Sequence, residues 1–285
     1  MNTRFTFKGT SLSVSRMGYG AMQLTGPKVW GPPRDKHAAL AVLREAVAQG
    51  VDHIDTADFY GPHVSNRLIR EALAPYPKKL VLVTKIGFLR GDDASWNRAN
   101  TADDLARAVD SNLETLGLDA LDIVNLRLGD SHGPNGASIA APLKALVTLQ
   151  KKGLVRHIGL STVSLAQYEE GIAIADIVCV QNQYNLAHRE DDALIDRLAA
   201  DGVAYVPYFP LGGFSPLQST TLSEVAATLG ATPLQVALAW LLQRSPNILL
   251  IPGTSSVDHL RENMAAATLQ LPPDLLRKLD TIGRA

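Results

Sequence analysis

Asp52-His53-Ile54-Asp55-Thr56-Ala57-Asp58-Phe59-Tyr60-Gly61 is the stretch whose reading decides the fold. Its first four residues are of the kind found in a short strand buried on both faces. The rest reads as the loop after that strand and carries a carboxylate, a phenol and a glycine. Comparable runs recur on both sides of it at Leu80 to Val83, Asp122 to Leu126, Val155 to Leu160, Ile177 to Val180, Val203 to Val206 and Ile248 to Ile251, with a weaker one at Arg16 to Gly20. Between them lie stretches with apolar residues at helical spacing: Leu40, Leu43, Val47; Leu105, Val109, Leu113, Leu116; Leu143, Leu146, Val147; and Leu234, Leu238, Leu241, Leu242. Helix starts are marked at Thr232-Pro233-Leu234-Gln235, Ser164-Leu165-Ala166-Gln167 and Thr221-Leu222-Ser223-Glu224, each a hydroxyl residue followed three positions later by Gln or Glu. Eight strands alternating with helices predict an α/β fold, a (β/α)8 TIM barrel forming one domain over residues 1–285. A doubly wound sheet is the alternative; for dinucleotide binding it would want a third glycine that Gly18-Tyr19-Gly20-Ala21-Met22-Gln23 lacks.

Composition narrows the function. The 285 residues are 46% hydrophobic and carry 27 Lys+Arg against 28 Asp+Glu, for a formal net charge of -1. A sizeable core is expected, and nothing in the charge favours nucleic acid or an anionic membrane as partner. A small molecule is the expected partner. The lone Cys179 cannot form an intramolecular disulfide, no secretory signal is evident, and no apolar run approaches the roughly 20 residues of a spanning helix. The cytoplasm is the expected compartment. No histidine, cysteine or carboxylate spacing suggests a metal site, and no serine-centred elbow suggests a hydrolase.

In such a barrel, chemistry belongs to the carboxyl ends of strands and the loops that follow. That rule selects Asp55 and Tyr60 after the second strand, Lys85 after the third and Arg127 after the fourth. Together they read as an acid/base site in which Tyr60 donates a proton beside a cationic Lys85 that Asp55 holds and orients. Each alone has a plainer reading: a capping Asp, a packed Tyr, a lysine in a surface pair. A strand-end lysine could also be the Schiff-base nucleophile of an aldolase.

The sequence resembles the aldo-keto reductase superfamily through Gly50-Val51-Asp52-His53-Ile54-Asp55-Thr56-Ala57 with Tyr60-Gly61, Val83-Thr84-Lys85, Ile158-Gly159-Leu160-Ser161, Val180-Gln181-Asn182-Gln183-Tyr184-Asn185, and Ile251-Pro252-Gly253-Thr254-Ser255-Ser256 followed by Glu262-Asn263. The similarity runs from about residue 5 to about residue 283. It implies NADPH-dependent reduction of an aldehyde or ketone by hydride transfer, with Tyr60 as general acid and Asp55 and Lys85 in support. Where the family usually has Leu-His-x-x-Asp, this chain has Leu126-Arg127-Leu128-Gly129-Asp130. Two dispositions are open to Arg127. It either polarises the substrate oxygen and pairs with an anionic substrate group, or turns away to pair with Asp130. His132 could stand in for the missing histidine, though a solvated loop residue is the simpler reading.

The same resemblance implies a cofactor site. Ser161, Thr162 and Gln181 would hold the nicotinamide carboxamide, Thr162 standing where the family usually has Asn, and Tyr208 would stack on the ring beside Phe209 and Leu211. Gly20, Ala21, Met22 and Asp55 would line the nicotinamide end. Gly253, Thr254, Ser255 and Ser256 would receive the 2'-phosphate, with His259 in place of the family's arginine, while Glu262 and Asn263 would clamp the adenine. The loops 129–136 and 212–219 are candidates for ordering around the cofactor. Trp30, Phe59 and Trp96 are placed to wall a pocket for a flat substrate. Gly18 to Leu24, His53 to His63 and Val124-Asn125-Leu126-Arg127 look like a bacterial branch that reduces pyridoxal to pyridoxine. Generic aldehyde reduction, or an NADPH-binding sensing subunit with little turnover, are the other implied functions.

Overall fold

A computed structural model of the chain describes residues 3–130, 133–212 and 219–283. His132, and parts of the two glycine-rich loops noted above, fall outside them. The strands are β1 (Arg4–Thr6), β2 (Ser13–Ser15), β3 (Tyr19–Gly20), β4 (His53–Asp55), β5 (Val81–Ile86), β6 (Phe88–Arg90), β7 (Trp96–Arg98), β8 (Leu121–Arg127), β9 (Val155–Ser161), β10 (Ile177–Gln181) and β11 (Ala204–Tyr205). The helices are α1 (Lys36–Ala48), α2 (Val64–Leu73), α3 (Ala102–Leu116), α4 (Ala140–Lys151), α5 (Leu165–Ile172), α6 (Asp192–Asp201), α7 (Thr220–Leu229), α8 (Pro233–Arg244), α9 (Val257–Ala265) and α10 (Pro273–Leu279).

Seven strands form one sheet in the order β11-β10-β9-β8-β5-β4-β3, and every pairing in it is parallel. Residues 248–250 close the seam between its two ends. Ile248 bridges Tyr205 and Leu250 bridges Met17, both in parallel, and the Leu250 N–H donates to the Arg16 carbonyl at 2.8 Å. The eighth run of the sequence thus takes its expected seat, but through isolated bridges rather than a full ladder. The result is the (β/α)8 barrel.

Alternation along the strands sorts the side chains. Val81 and Val83 of β5 join Ile123, Cys179, Val206 and Leu249 in one apolar cluster inside the barrel, while Leu82 and Ile86 pack outward into the helical layer. The antiparallel β1–β2 hairpin, which sequence reading missed, sets Phe7 and Val14 against that same interior cluster. Asp52, just before β4, accepts from the Ser15 N–H at 2.7 Å and pairs with Arg4 at 2.7 Å, so the hairpin plugs the amino end of the barrel.

The caps at Ser164 and Thr232 form as predicted, each accepting from the third-position Gln N–H while that Gln side chain accepts from the cap N–H. The third predicted cap is displaced. Helix α7 starts two residues early because Ser219, in extended conformation, already accepts from Leu222 N–H at 3.3 Å, and Thr221 lies within the helix. No single described helix is long and apolar enough to cross a membrane.

Candidate active site

Strand β4 turns His53 and Asp55 into the barrel, and β5 continues its inward series Val81, Val83 with Lys85. The two charges meet at the carboxyl mouth. Lys85 Nζ donates to Asp55 Oδ1 at 2.5 Å and to the Thr56 carbonyl at 3.0 Å, and Gln181 Nε2, from the end of β10, donates to Asp55 Oδ2 at 2.9 Å. Asp55, Lys85, Gln181 and Tyr60 are all buried. Lys85 Nζ stands 5.1 Å from the centre of the Tyr60 ring. Burial alone would push the Lys85 ammonium down, but Asp55 and Tyr60 outweigh it and hold its pKa above the ordinary lysine value. Asp55, Tyr60 and Lys85 are therefore brought together around a fixed positive charge.

A polar network backs this cluster. Thr56 Oγ1 donates to Asn66 Oδ1 at 2.9 Å, Asn66 Nδ2 donates to Asn112 Oδ1 at 3.0 Å and Thr115 Oγ1 at 3.0 Å, and Thr84 Oγ1 donates to Asn112 Oδ1 at 2.6 Å. These bonds tie the ends of β4 and β5 to α2 and α3, so both strands that present the charges are braced from outside the barrel. Sequence reasoning did not find them, because isolated Asn and Thr residues within helical stretches carry no periodic signal.

Arg127, at the end of β8, does not turn toward Asp130. Its guanidinium lies 5.0 Å from the Phe88 ring centre and 5.7 Å from that of Trp96, while Asp130 pairs with Arg98 at 3.4 Å. The pairing with Asp130 is therefore corrected: two ring faces hold this cation. Its Nε is buried without a hydrogen-bond partner among the described residues. The three expected pocket aromatics gather here as well. Phe59 makes edge contacts with Tyr60 at 5.4 Å and Trp96 at 5.5 Å, and Arg90 lies 4.1 Å from the Trp96 ring centre and 5.3 Å from that of Trp30. Phe88 and Arg90 were missed in the sequence because the β6–β7 hairpin has no clear alternation.

The residues expected to hold a cofactor form a band across the mouth. Ser161 ends β9, and its hydroxyl lies 3.5 Å from that of Thr162, whose backbone takes the left-handed region at φ 57°. The Thr162 N–H donates to the Gln181 carbonyl at 3.0 Å, and Gln181 Oε1 is buried without a partner among the described residues. Tyr208 and Phe209 meet edge to face at 5.3 Å, with Leu211 half-buried two residues on. Gly20 and Gly253 lie back to back: a Cβ on Gly253 would stand 2.6 Å from the Gly20 carbonyl oxygen. Ala21 follows Gly20 as a buried residue, and Met22 packs against the cluster of Phe59, Tyr60 and Phe88. The buried Thr254 accepts from the Tyr19 hydroxyl through its carbonyl at 2.5 Å, and Ser256 caps α9, accepting from His259 N–H at 3.4 Å. Ser255 and His259 are exposed, Glu262 is half-buried, and Asn263 is buried on the same helix. Arg261 is committed elsewhere, to Glu45 at 3.0 Å.

A parallel barrel that gathers a phenol, a carboxylate-held ammonium and a band of small and hydroxyl-bearing residues at its carboxyl mouth defines an oxidoreductase of the barrel class. Residues 16–284 match the Aldo/keto reductase family, and the chain belongs to it. It is 66% identical over 281 residues to the pyridoxine 4-dehydrogenase of Escherichia coli K12, covering 98% of each chain. It is 38% identical to an uncharacterized oxidoreductase of Schizosaccharomyces pombe, over 98% of this chain and 90% of that one. Among solved structures, a thermostable aldo-keto reductase in complex with the inhibitor epalrestat superposes with a TM-score of 0.82 at 29% identity, covering 98% of both chains. An aldo/keto reductase from Klebsiella pneumoniae in complex with NADP and acetate superposes with a TM-score of 0.81 at 23% identity, over 99% of this chain and 95% of that one.

Proposed function

We propose that the protein reduces pyridoxal to pyridoxine with NADPH, Tyr60 acting as the proton donor. The observation that carries this is the buried Lys85–Asp55 pair set against the Tyr60 ring. The substrate follows from similarity to the Escherichia coli pyridoxine 4-dehydrogenase. The residues present suit a nicotinamide cofactor: the orphaned, buried Gln181 Oε1 needs a donor such as a carboxamide N–H, and the adjacent Ser161 and Thr162 hydroxyls offer further bonds. Gly253 to Ser256 and the start of α9 supply N–H and hydroxyl groups for the phosphate end, with Asn263 on the same helix. When bound, NADPH supplies the hydride.

This chain's own residues do the rest. Tyr60 releases its hydroxyl proton to the substrate oxygen as charge develops there. The Lys85 ammonium stabilises the phenolate left behind, and Asp55, fixed by Gln181 as well as by Lys85, keeps that ammonium in place. Arg127 offers permanent positive charge to the substrate oxygen or to the ionised ring hydroxyl of pyridoxal. An aldolase would need Lys85 neutral for attack, the opposite of the charged state its surroundings favour. The buried, unpaired Cys179 suits a reducing cytoplasm.

The test follows NADPH absorbance with pyridoxal, with NADH and benzaldehyde in parallel, for the wild type and Tyr60→Phe. The expected outcome is rapid oxidation of NADPH by the wild type and a loss on the order of 10²–10⁴-fold in Tyr60→Phe with NADPH affinity retained. Turnover of benzaldehyde but not pyridoxal would overturn the substrate, and an active Tyr60→Phe would overturn the proton donor.

A further inference from the structure

Directly after β5 the chain crosses the end of β8 and rises into the β6–β7 hairpin. The crossing is close: Gly87 sits at φ 111°, and a Cβ there would lie 2.3 Å from the Arg127 carbonyl oxygen. The hairpin base is closed by the Ala99 N–H donating to the Gly87 carbonyl at 3.0 Å. Among the described residues, the hydrogen bonds that join its far part to the rest of the protein come from one side chain. Arg90 Nη1 donates to the Val29 carbonyl at 2.8 Å, and Nη2 donates to the Lys28 carbonyl at 3.1 Å and, within the hairpin turn, to the Ala94 carbonyl at 2.9 Å. Lys28 and Val29 both occupy the left-handed region, at φ 60° and 57°, a costly conformation for non-glycine residues and above all for a β-branched one. That conformation places two successive carbonyls where one guanidinium fork takes both.

The same guanidinium lies against the rings of Trp30, from the first loop, and Trp96, from the hairpin. Trp96 is 42% exposed, and Arg90 is the cation nearest its ring. It is also one of the two rings that hold Arg127 and makes the edge contact to Phe59, the residue before Tyr60. A chain of contacts thus runs from the backbone of the first loop through Arg90 and Trp96 to the cation and phenol of the site.

We propose that Arg90 is a positioning residue that makes the enzyme selective for flat aromatic aldehydes, by pinning Trp30 and Trp96 as the wall a planar ring packs on. The proposal rests on the carbonyl-reductase reading above. Its reach is limited to substrates that use the wall, since a short aliphatic aldehyde presents no ring to pack.

The experiment compares Arg90→Met, which keeps the stem and loses the fork, with Arg90→Lys, which keeps the charge, using pyridoxal, benzaldehyde and propanal. In Arg90→Met, KM for both aromatic aldehydes rises on the order of tenfold while kcat changes far less and propanal kinetics stay within about twofold. Arg90→Lys recovers part of the loss, and NADPH affinity is unchanged. On a Trp96→Ala background Arg90→Met adds little further, because the two residues act in one chain. Equal losses for propanal and benzaldehyde, or fully additive effects with Trp96→Ala, would overturn the proposal. Should Arg90→Met fail to fold, Arg90→Lys against Trp96→Ala gives the same reading. Calorimetric affinity for pyridoxine tests the wall without turnover: it weakens in Arg90→Met if the proposal holds, and unchanged affinity overturns it. Wild-type enzyme that takes benzaldehyde but not pyridoxal removes the vitamin substrate alone, and the comparison of benzaldehyde with propanal still decides the role of Arg90.

Discussion

Asp55 ends β4 and Asp58 lies three residues on in the loop that follows, yet the structure treats them oppositely. Asp55 has a lysine and a glutamine on its two oxygens; Asp58 is equally buried, and its Oδ1 has no partner among the described residues. Burial pushes the Asp58 carboxyl up to about 7, against the pull of Ser111 and Asn112 in the other direction. The unfolded chain releases this proton near the ordinary value of 3.8, so between about pH 4 and pH 7 the folded state holds the proton and the unfolded state does not. Stability contributed by Asp58 is therefore full below that window and lost as pH rises through it. Asp58→Asn, which mimics the protonated form, is expected to stabilise the protein by up to about 4 kcal/mol near pH 8 and by little near pH 4. Urea denaturation of both proteins at the two pH values checks this, and an equal gain at both would refute it. Sequence alone separated these two aspartates only in part. The rule that function sits at strand ends picked out Asp55, Tyr60 and Lys85, but which partners a carboxylate finds depends on side chains far along the chain, Gln181 of β10 for Asp55 and Ser111 and Asn112 of α3 for Asp58, that no local pattern announces.

Among the secondary-structure elements, those with a strong period were legible, α1, α3, α4 and α8, and so were the caps at Ser164 and Thr232. Elements too short or too polar to carry a period were not, including both hairpins, so the plug at the amino end and the wall at the mouth became visible only in three dimensions. The cap predicted at Thr221 moved to Ser219 because two hydroxyl residues compete there and the earlier one already has extended backbone. The weak first run, Arg16 to Gly20, reduced to a two-residue strand plus the Met17 bridge, and its glycines have a packing reason. A Cβ on Gly18 would stand 2.2 Å from Nε2 of His53 on the neighbouring strand, inside the ring's own volume. That imidazole is buried, both its nitrogens lack partners among the described residues, and burial pushes its pKa down to about 4, so it packs as a neutral ring that needs the missing side chain opposite. Gly18→Ala is expected to cost about 1–3 kcal/mol through overpacking. Adding His53→Ala should return part of that loss, giving a coupling between the two sites that thermal melts of the single and double variants would measure. Strictly additive effects would mean that the strands separate rather than clash.

For the molecule as a whole, the barrel is continuous only if its last run is sewn to its first, and there the ladder is thin. Ile248 and Leu250 make isolated bridges, and one side chain supplies what the ladder lacks. Arg16, 4% exposed, donates from Nε to the Ile248 carbonyl at 3.0 Å and from Nη2 to the carbonyls of Leu242 at 2.7 Å and Ser245 at 2.6 Å. It thereby joins the end of α8, the turn after it and the closing strand to the start of the chain. Burial lowers its pKa to about 10, which still leaves it charged at neutral pH and makes its bonds to these carbonyls charge-assisted. Arg16→Met keeps most of the volume but leaves the three buried acceptors without this donor, and a loss of about 3–5 kcal/mol is expected, enough to lower the melting temperature by roughly 10 °C in a chain of this size. The seam lies at the amino end of the closing strand, whereas Asp55, Tyr60 and Lys85 stand at the carboxyl mouth. Well below its transition the variant should therefore show wild-type KM and kcat with NADPH and aldehyde, while its calorimetric transition moves down. A variant that melts with the wild type would mean that water reaches and satisfies the three carbonyls. One that melts early and also loses turnover when cold would mean that closure at the amino end tightens the mouth, so that fold and site are coupled along the strands.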